Sequence, residues 1–79
     1  MLPLIEYDQK NNTDLSNTLK SYLELNGSVK MTAEKLYVHR NTINYSLNRI
    51  EEILNIDLSN LNTRLNLMVA FMIKEMIEA

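Results

Sequence analysis

Apolar residues recur at intervals of three and four along much of this chain, while glycine and proline each occur once in 79 residues. No other feature constrains the backbone as strongly. A repeat near 3.6 matches one face of an α-helix, and strands joined by hairpins need far more turn residues. The expected fold class is all-α: a small domain of four to five helices with short connections.

Residues 2–8 are expected to form a short helix with Pro3 in its first turn. A polar loop then spans 9–13. Thr13 is expected to cap a helix that begins at Asp14 and turns Leu15, Leu19, Tyr22 and Leu23 inward. Asn26-Gly27 should stop it, since both tolerate a left-handed backbone. Ser28 caps the next helix, 29–36, lined by Val29, Ala33 and Leu36. Tyr37-Val38 is the turn. A longer helix starts at His39 or Arg40, runs to Leu54 and gathers Ile43, Leu47, Ile50 and Leu54 on one side. Asn55 ends it, and Asn60 caps a last helix over 61–77.

That last helix carries too much apolar surface for one side. Leu65, Met68, Val69, Met72 and Met76 make one face, and Leu67, Ala70, Phe71, Ile73 and Ile77 cover much of the rest. A helix apolar nearly all round is covered on more than one side. A second subunit or a neighbouring domain is the expected cover.

Size and composition exclude several functions. A domain this short buries only about 60–65% of its unfolded surface, so it needs support beyond its core. There is no cysteine and a single histidine, which removes disulfides and metal centres built from those residues. No nucleophile–base pair, metal cluster or phosphate loop is visible, so neither an enzyme nor a cofactor is expected. The acids Glu6 and Asp8 stand where a secretory signal would be apolar. The longest apolar run, Leu67 to Ile73, is far shorter than the roughly 20 residues of a membrane span. A soluble, cytoplasmic protein with no membrane partner is expected.

The net charge of −2 is unevenly spread. Between residues 28 and 49, Lys30, Lys35, Arg40 and Arg49 face only Glu34, while the segments on either side are acidic. The basic segment contains the two helices joined by the tight turn, the arrangement of a helix-turn-helix at 28–54. Ala33 is small where the second helix must cross the first, Val38 is the apolar anchor of the turn, and Ile43 and Leu47 form the underside of the second helix. Asn41, Asn44, Tyr45 and Asn48 fall on its other side. Asparagine bonds adenine bidentately, so such a face is suited to reading bases in a major groove. The alternative is an ordinary solvated face in an asparagine-rich chain. Arg40 stands at the helix start, where phosphate is favoured. His39 is a helix cap or a phosphate contact. Thr42 completes the helix start or touches a phosphate. Tyr45 meets DNA or packs on a neighbouring helix. Lys35 and Arg49 either contact phosphate or pair with Glu34, Glu52 or another acid.

The run Ala33-Glu34-Lys35-Leu36-Tyr37-Val38-His39-Arg40-Asn41-Thr42-Ile43-Asn44-Tyr45-Ser46-Leu47-Asn48-Arg49-Ile50, preceded by Leu19, Tyr22 and Leu23, resembles the C-terminal helix-turn-helix domain of PucR-type bacterial transcriptional regulators. His39-Arg40-Asn41-Thr42 followed by Tyr45 and Leu47 is its most specific part. The resemblance extends over nearly the whole chain. It implies a single DNA-binding domain over 1–79 that ends a longer regulator, with 39–54 as recognition helix. It also implies an effector sensed by a missing N-terminal region. The family usually carries basic residues where this chain has Asn44, Ser46 and Asn48, which reduces phosphate contacts here. One such helix reads about four base pairs, so a homodimer through the C-terminal helix is expected to bind double-stranded DNA. The competing expectation is a protein-interaction or dimerisation module that keeps the shape without binding DNA.

Overall fold

A ten-residue helix, α2 (Leu15–Glu24), stands at the centre of the fold. The computed structural model describes residues 2–78. Around α2 lie α1 (Leu2–Asn11), α3 (Val29–Leu36), α4 (Arg40–Leu54) and α5 (Leu61–Glu78), and all four pack against it. The apolar spacing of α2 explains its place: Leu15, Leu19, Tyr22 and Leu23 are all buried. They meet Leu4 from α1, Ala33 from α3, Ile43, Leu47 and Ile50 from α4, Leu58 from the last connector and Phe71 from α5. Each fully buried leucine or isoleucine among them contributes about 1.5–3 kcal/mol of transfer free energy. Among the described residues, no helix is long and apolar enough to cross a membrane.

The first four helices end in the same way. Asn12, Asn26, Tyr37 and Asn55 have φ between 53° and 57°, in the left-handed region. In each case the next N–H donates to the carbonyl five residues back: Thr13 to Asp8 at 3.1 Å, Gly27 to Tyr22 at 2.9 Å, Val38 to Ala33 at 3.1 Å and Ile56 to Glu51 at 3.1 Å. This closure satisfies carbonyls that a helix end otherwise leaves open and reverses the chain in a few residues. Asparagine adopts the left-handed region readily. A tyrosine there costs about 1–2 kcal/mol of backbone strain. Gly27 extends the second of these turns with φ 77°.

The N-terminal region departs from the sequence expectation. Residues 9–11 continue α1, and the loop begins only at Asn12, because Asn12 supplies the left-handed stop. Thr13 does not cap α2. Its hydroxyl donates to Asp8 Oδ1 at 2.6 Å, and the helix proper starts at Leu15, one residue later than expected. Asp14, at the cap position, makes no side-chain capping bond. The cap comes from α1 instead. Asp8 accepts the Leu15 N–H at 2.8 Å, the Ser16 N–H at 2.9 Å and the Ser16 hydroxyl. One carboxylate thus closes the open end of α2 and ties α1 to it.

The other caps follow the sequence reading. Ser28 Oγ accepts the Met31 N–H at 3.1 Å, and Asn60 Oδ1 accepts the Thr63 N–H at 3.1 Å. Glu51, near the end of α4, reaches forward to accept the Leu58 N–H at 2.9 Å, and Arg64 donates to the Leu58 carbonyl at 2.7 Å. These two bonds set the path of the 55–60 connector and so the start of α5. Among the described residues, the one helix that α5 packs against is α2. Phe71 is its buried anchor, flanked by half-buried Leu67 and Met68.

Burial works against ionisation of Asp8, but the hydrogen bonds from Ser16, Thr13 and Leu15 outweigh it and hold its carboxyl below the ordinary range. A depressed folded-state value contributes stability above the unfolded value of about 3.9 and loses it as pH falls through the folded value. Asp8→Asn is expected to lower the unfolding free energy at neutral pH by about 1 kcal/mol, measured by urea titration. Below about pH 4 the parent should lose stability faster than the variant, so the two converge. Parallel pH profiles would contradict this role.

Candidate nucleic-acid interface

Three residues, Tyr37, Val38 and His39, join α3 to α4. So short a turn holds α3 and α4 closely together, and Ala33 of α3, buried at 4% exposure, has only a methyl group to accommodate in the core. Thr32 beside it is fully buried, and its hydroxyl donates to the Ser28 carbonyl at 2.7 Å. Val38 does not anchor the turn as its apolar character suggested, since its side chain is 40% exposed. Its backbone N–H, bonded to Ala33, holds the turn instead, while Val29 and Leu36 pack against the core.

His39 starts α4 with an extended backbone, φ −73° and ψ 149°, and its Nδ1 accepts the Asn41 N–H at 3.1 Å. With Nδ1 accepting, the ring proton sits on Nε2, which remains a donor. Capping and phosphate contact are therefore compatible roles for one ring.

Ile43, Leu47 and Ile50 are buried, at 1%, 7% and 0% exposure. That fixes the rotation of α4 about its axis. Asn41, Tyr45 and Asn48 stack one turn apart on the side away from the core, with Thr42 and Asn44 beside them and Arg40 at the start of the helix; all are exposed. Ser46 is half-buried. The exposed side therefore presents amides, hydroxyls and a guanidinium, and no acid stands among residues 40–48.

Further along, Arg49 Nη2 donates to Tyr45 Oη at 3.1 Å, and the guanidinium lies 5.7 Å from the centre of that ring. Arg49 Nη1 also meets Glu52 at 3.4 Å. The hydrogen bond to Tyr45 is the largest influence raising the Arg49 pKa above its ordinary value, with Glu52 adding to it. The cation is thus held over Tyr45, and Tyr45 leans toward Arg49, not toward a neighbouring helix. Lys35 reaches Glu24 of α2 at 3.4 Å. Such exposed pairs contribute about 0–1 kcal/mol and can be exchanged for a phosphate at little cost.

Arg40 and Lys30 differ from these. Among the described residues no acid lies within ion-pair distance of either. Both border an open cleft of about 490 Å³ between α3 and the start of α4, together with Tyr37 and His39. In the sequence Lys30 stands out only as part of the basic segment and Tyr37 only as part of the turn; the cleft brings both beside Arg40 and His39. Lys30 shares one helical face of α3 with Ala33 and Glu34, which is the available signal for it; Tyr37 lies past the end of α3, in the turn.

The family model of the PucR C-terminal helix-turn-helix domain matches residues 15–73. The proline-responsive transcriptional activator PutR of Bacillus subtilis (strain 168) is 41% identical over 66 residues, covering 84% of this chain and 16% of PutR. The carbohydrate diacid regulator of Escherichia coli (strain K12) is 42% identical over 65 residues, covering 82% of this chain and 17% of that protein. The purine catabolism regulatory protein of Bacillus subtilis (strain 168) is 38% identical over 69 residues, covering 87% and 13% respectively. The chain therefore spans less than a fifth of the length of these relatives. No solved structure matches it. With its family and its relatives agreeing, the chain belongs to the PucR C-terminal helix-turn-helix domains and is an all-helical DNA-binding domain.

Proposed function

We propose that residues 39–54 are the recognition helix and lie in the major groove of a specific duplex site. Asn41, Asn44 and Asn48 read base edges, with Thr42 and Tyr45 beside them, and Arg40, His39, Arg49 and Lys35 bind backbone phosphates. One observation carries this reading: the asparagines are exposed on a helix whose opposite side, Ile43, Leu47 and Ile50, is locked in the core. A face of uncharged amides with cations at its edges suits base reading framed by phosphate contacts. The helix-turn-helix unit spans 28–54 within a single domain over 1–79.

A second copy of this chain covers α5. Leu65, Val69, Met72 and Met76 follow one another at spacings of four, three and four and remain 47% to 78% exposed. A contiguous apolar row of this kind on a soluble domain marks an interface. Pairing also supplies the second recognition helix that a specific site needs, with half-sites about 10 base pairs or a multiple apart. The greater length of the relatives, one of them named proline-responsive, supports a longer regulator whose remaining sequence senses an effector, and a duplex DNA partner agrees with a cytoplasmic location.

Fluorescence anisotropy against a library of duplexes tests base reading. Asn44→Ala and Asn48→Ala are each expected to cost about 1–3 kcal/mol on the preferred sequence and to relax preference at one position. Arg40→Ala should weaken binding to all sequences alike and reduce the slope of log K against log salt by about 1. Equal affinity of all three variants and parent for every duplex would contradict the assignment.

Sedimentation tests pairing. The parent should sediment with twice the chain mass at high micromolar concentration, and Met72→Glu should sediment as one chain. A parent that remains a single chain would remove α5 as the interface.

A further inference from the structure

Tyr37 occupies an unfavourable place. It has φ 57°, a backbone conformation in which the other helix ends of this fold use asparagine. The backbone bonds that close the turn would form equally with asparagine or glycine there, and among the described residues the Tyr37 side chain adds no polar contact that offsets the strain. The side chain is 95% exposed, and among the described residues its hydroxyl has no hydrogen-bond partner. A bulky residue held in the left-handed region without packing points to a role outside the fold. Glycine would close the same turn more favourably.

The surroundings of the ring indicate the role. Tyr37 borders the cleft between α3 and the start of α4 that Lys30 and Arg40 also border. Both cations are without an acidic partner among the described residues, and together they outnumber the one acid of the cleft, Glu34. A helix-turn-helix lays its first helix across the sugar–phosphate backbone while the second enters the groove. The cleft lies at the junction of those two helices. A neutral donor that borders the same cleft as two cations is suited, with them, to an anionic oxygen.

We propose that Tyr37 donates a hydrogen bond from its hydroxyl to a DNA phosphate held in this cleft between Lys30 and Arg40. The proposal rests on the placement of α4 in the groove described above. A phosphate contact carries no sequence information, so Tyr37 contributes affinity and orientation equally on all sequences. The phenol is uncharged and releases no counterion, so its contribution does not change with salt, whereas that of Lys30 does.

Three variants of this chain and two fluorescein-labelled duplexes of about 30 base pairs, one AT-rich and one GC-rich, test it. Tyr37→Gly is expected to raise the thermal midpoint by a few °C, by relieving the backbone. The same variant should bind both duplexes about tenfold more weakly, with an unchanged salt slope. Tyr37→Phe should lose affinity to the same extent, and Lys30→Ala should lower the slope by about 1. Retained affinity in Tyr37→Gly would overturn the proposal while leaving the groove placement intact. Lost affinity in Tyr37→Gly with full affinity in Tyr37→Phe would overturn the hydroxyl contact. A lowered midpoint in Tyr37→Gly would show that the ring supports the fold, and would also overturn it. If the parent binds neither duplex at low salt, the groove placement itself fails.

Discussion

The burial of Ile43, Leu47 and Ile50 against α2 and α3 is the constraint on which the rest of the molecule depends. A helix advances about 100° per residue, so once three apolar side chains are locked inward its whole outer surface is determined. Rotating α4 by one residue would expose an isoleucine and carry an asparagine toward the core. Burying an amide without partners costs several times what a surface hydrogen bond returns. The amide-rich outer side is therefore held by the same packing that forms the core. The orientation of that side and the stability of the fold are two consequences of one set of contacts.

That packing requires abrupt chain reversals, because five helices share 79 residues. The left-handed closures supply them at each of the first four helix ends, and the side chains there divide into two kinds. Asparagine makes the reversal at little conformational cost. Tyr37 makes it under strain, at the junction between the two helices of the helix-turn-helix. Asp8 solves a related problem at the N-terminal side of the fold, where one carboxylate closes α2 and fastens α1. The domain thus spends polar side chains on helix ends and apolar ones on a single shared centre.

Much of this was legible in the residue pattern. The helix count, the inward faces of α2 and α4, the caps at Ser28 and Asn60 and the stop at Asn55 all follow from local chemistry. Two of the departures come from contacts between residues distant in sequence. Asp8 caps a helix to which it does not belong, so neighbouring residues alone point to Thr13 as the cap. Glu51 holds the connector from seven residues away for the same reason. Val38 looked like an anchor because it is apolar, but the turn is held by its backbone N–H. Tyr37 is legible as a turn residue, but nothing in its identity shows a positive φ or an unpacked ring. The surplus apolar surface of α5 was visible; that it meets the domain through Leu67, Met68 and Phe71 depends on the path of the connector before it.

Mapping duplex contact onto the backbone tests the central claim most directly. Amide resonances of the isotopically labelled chain should be followed during titration with double-stranded DNA. The account predicts that the largest shifts fall on residues 37–49, while the side-chain methyls of Ile43, Leu47 and Ile50 keep their core environment. Shifts confined to α1 or α5, or movement of those three methyls into solvent, would contradict it.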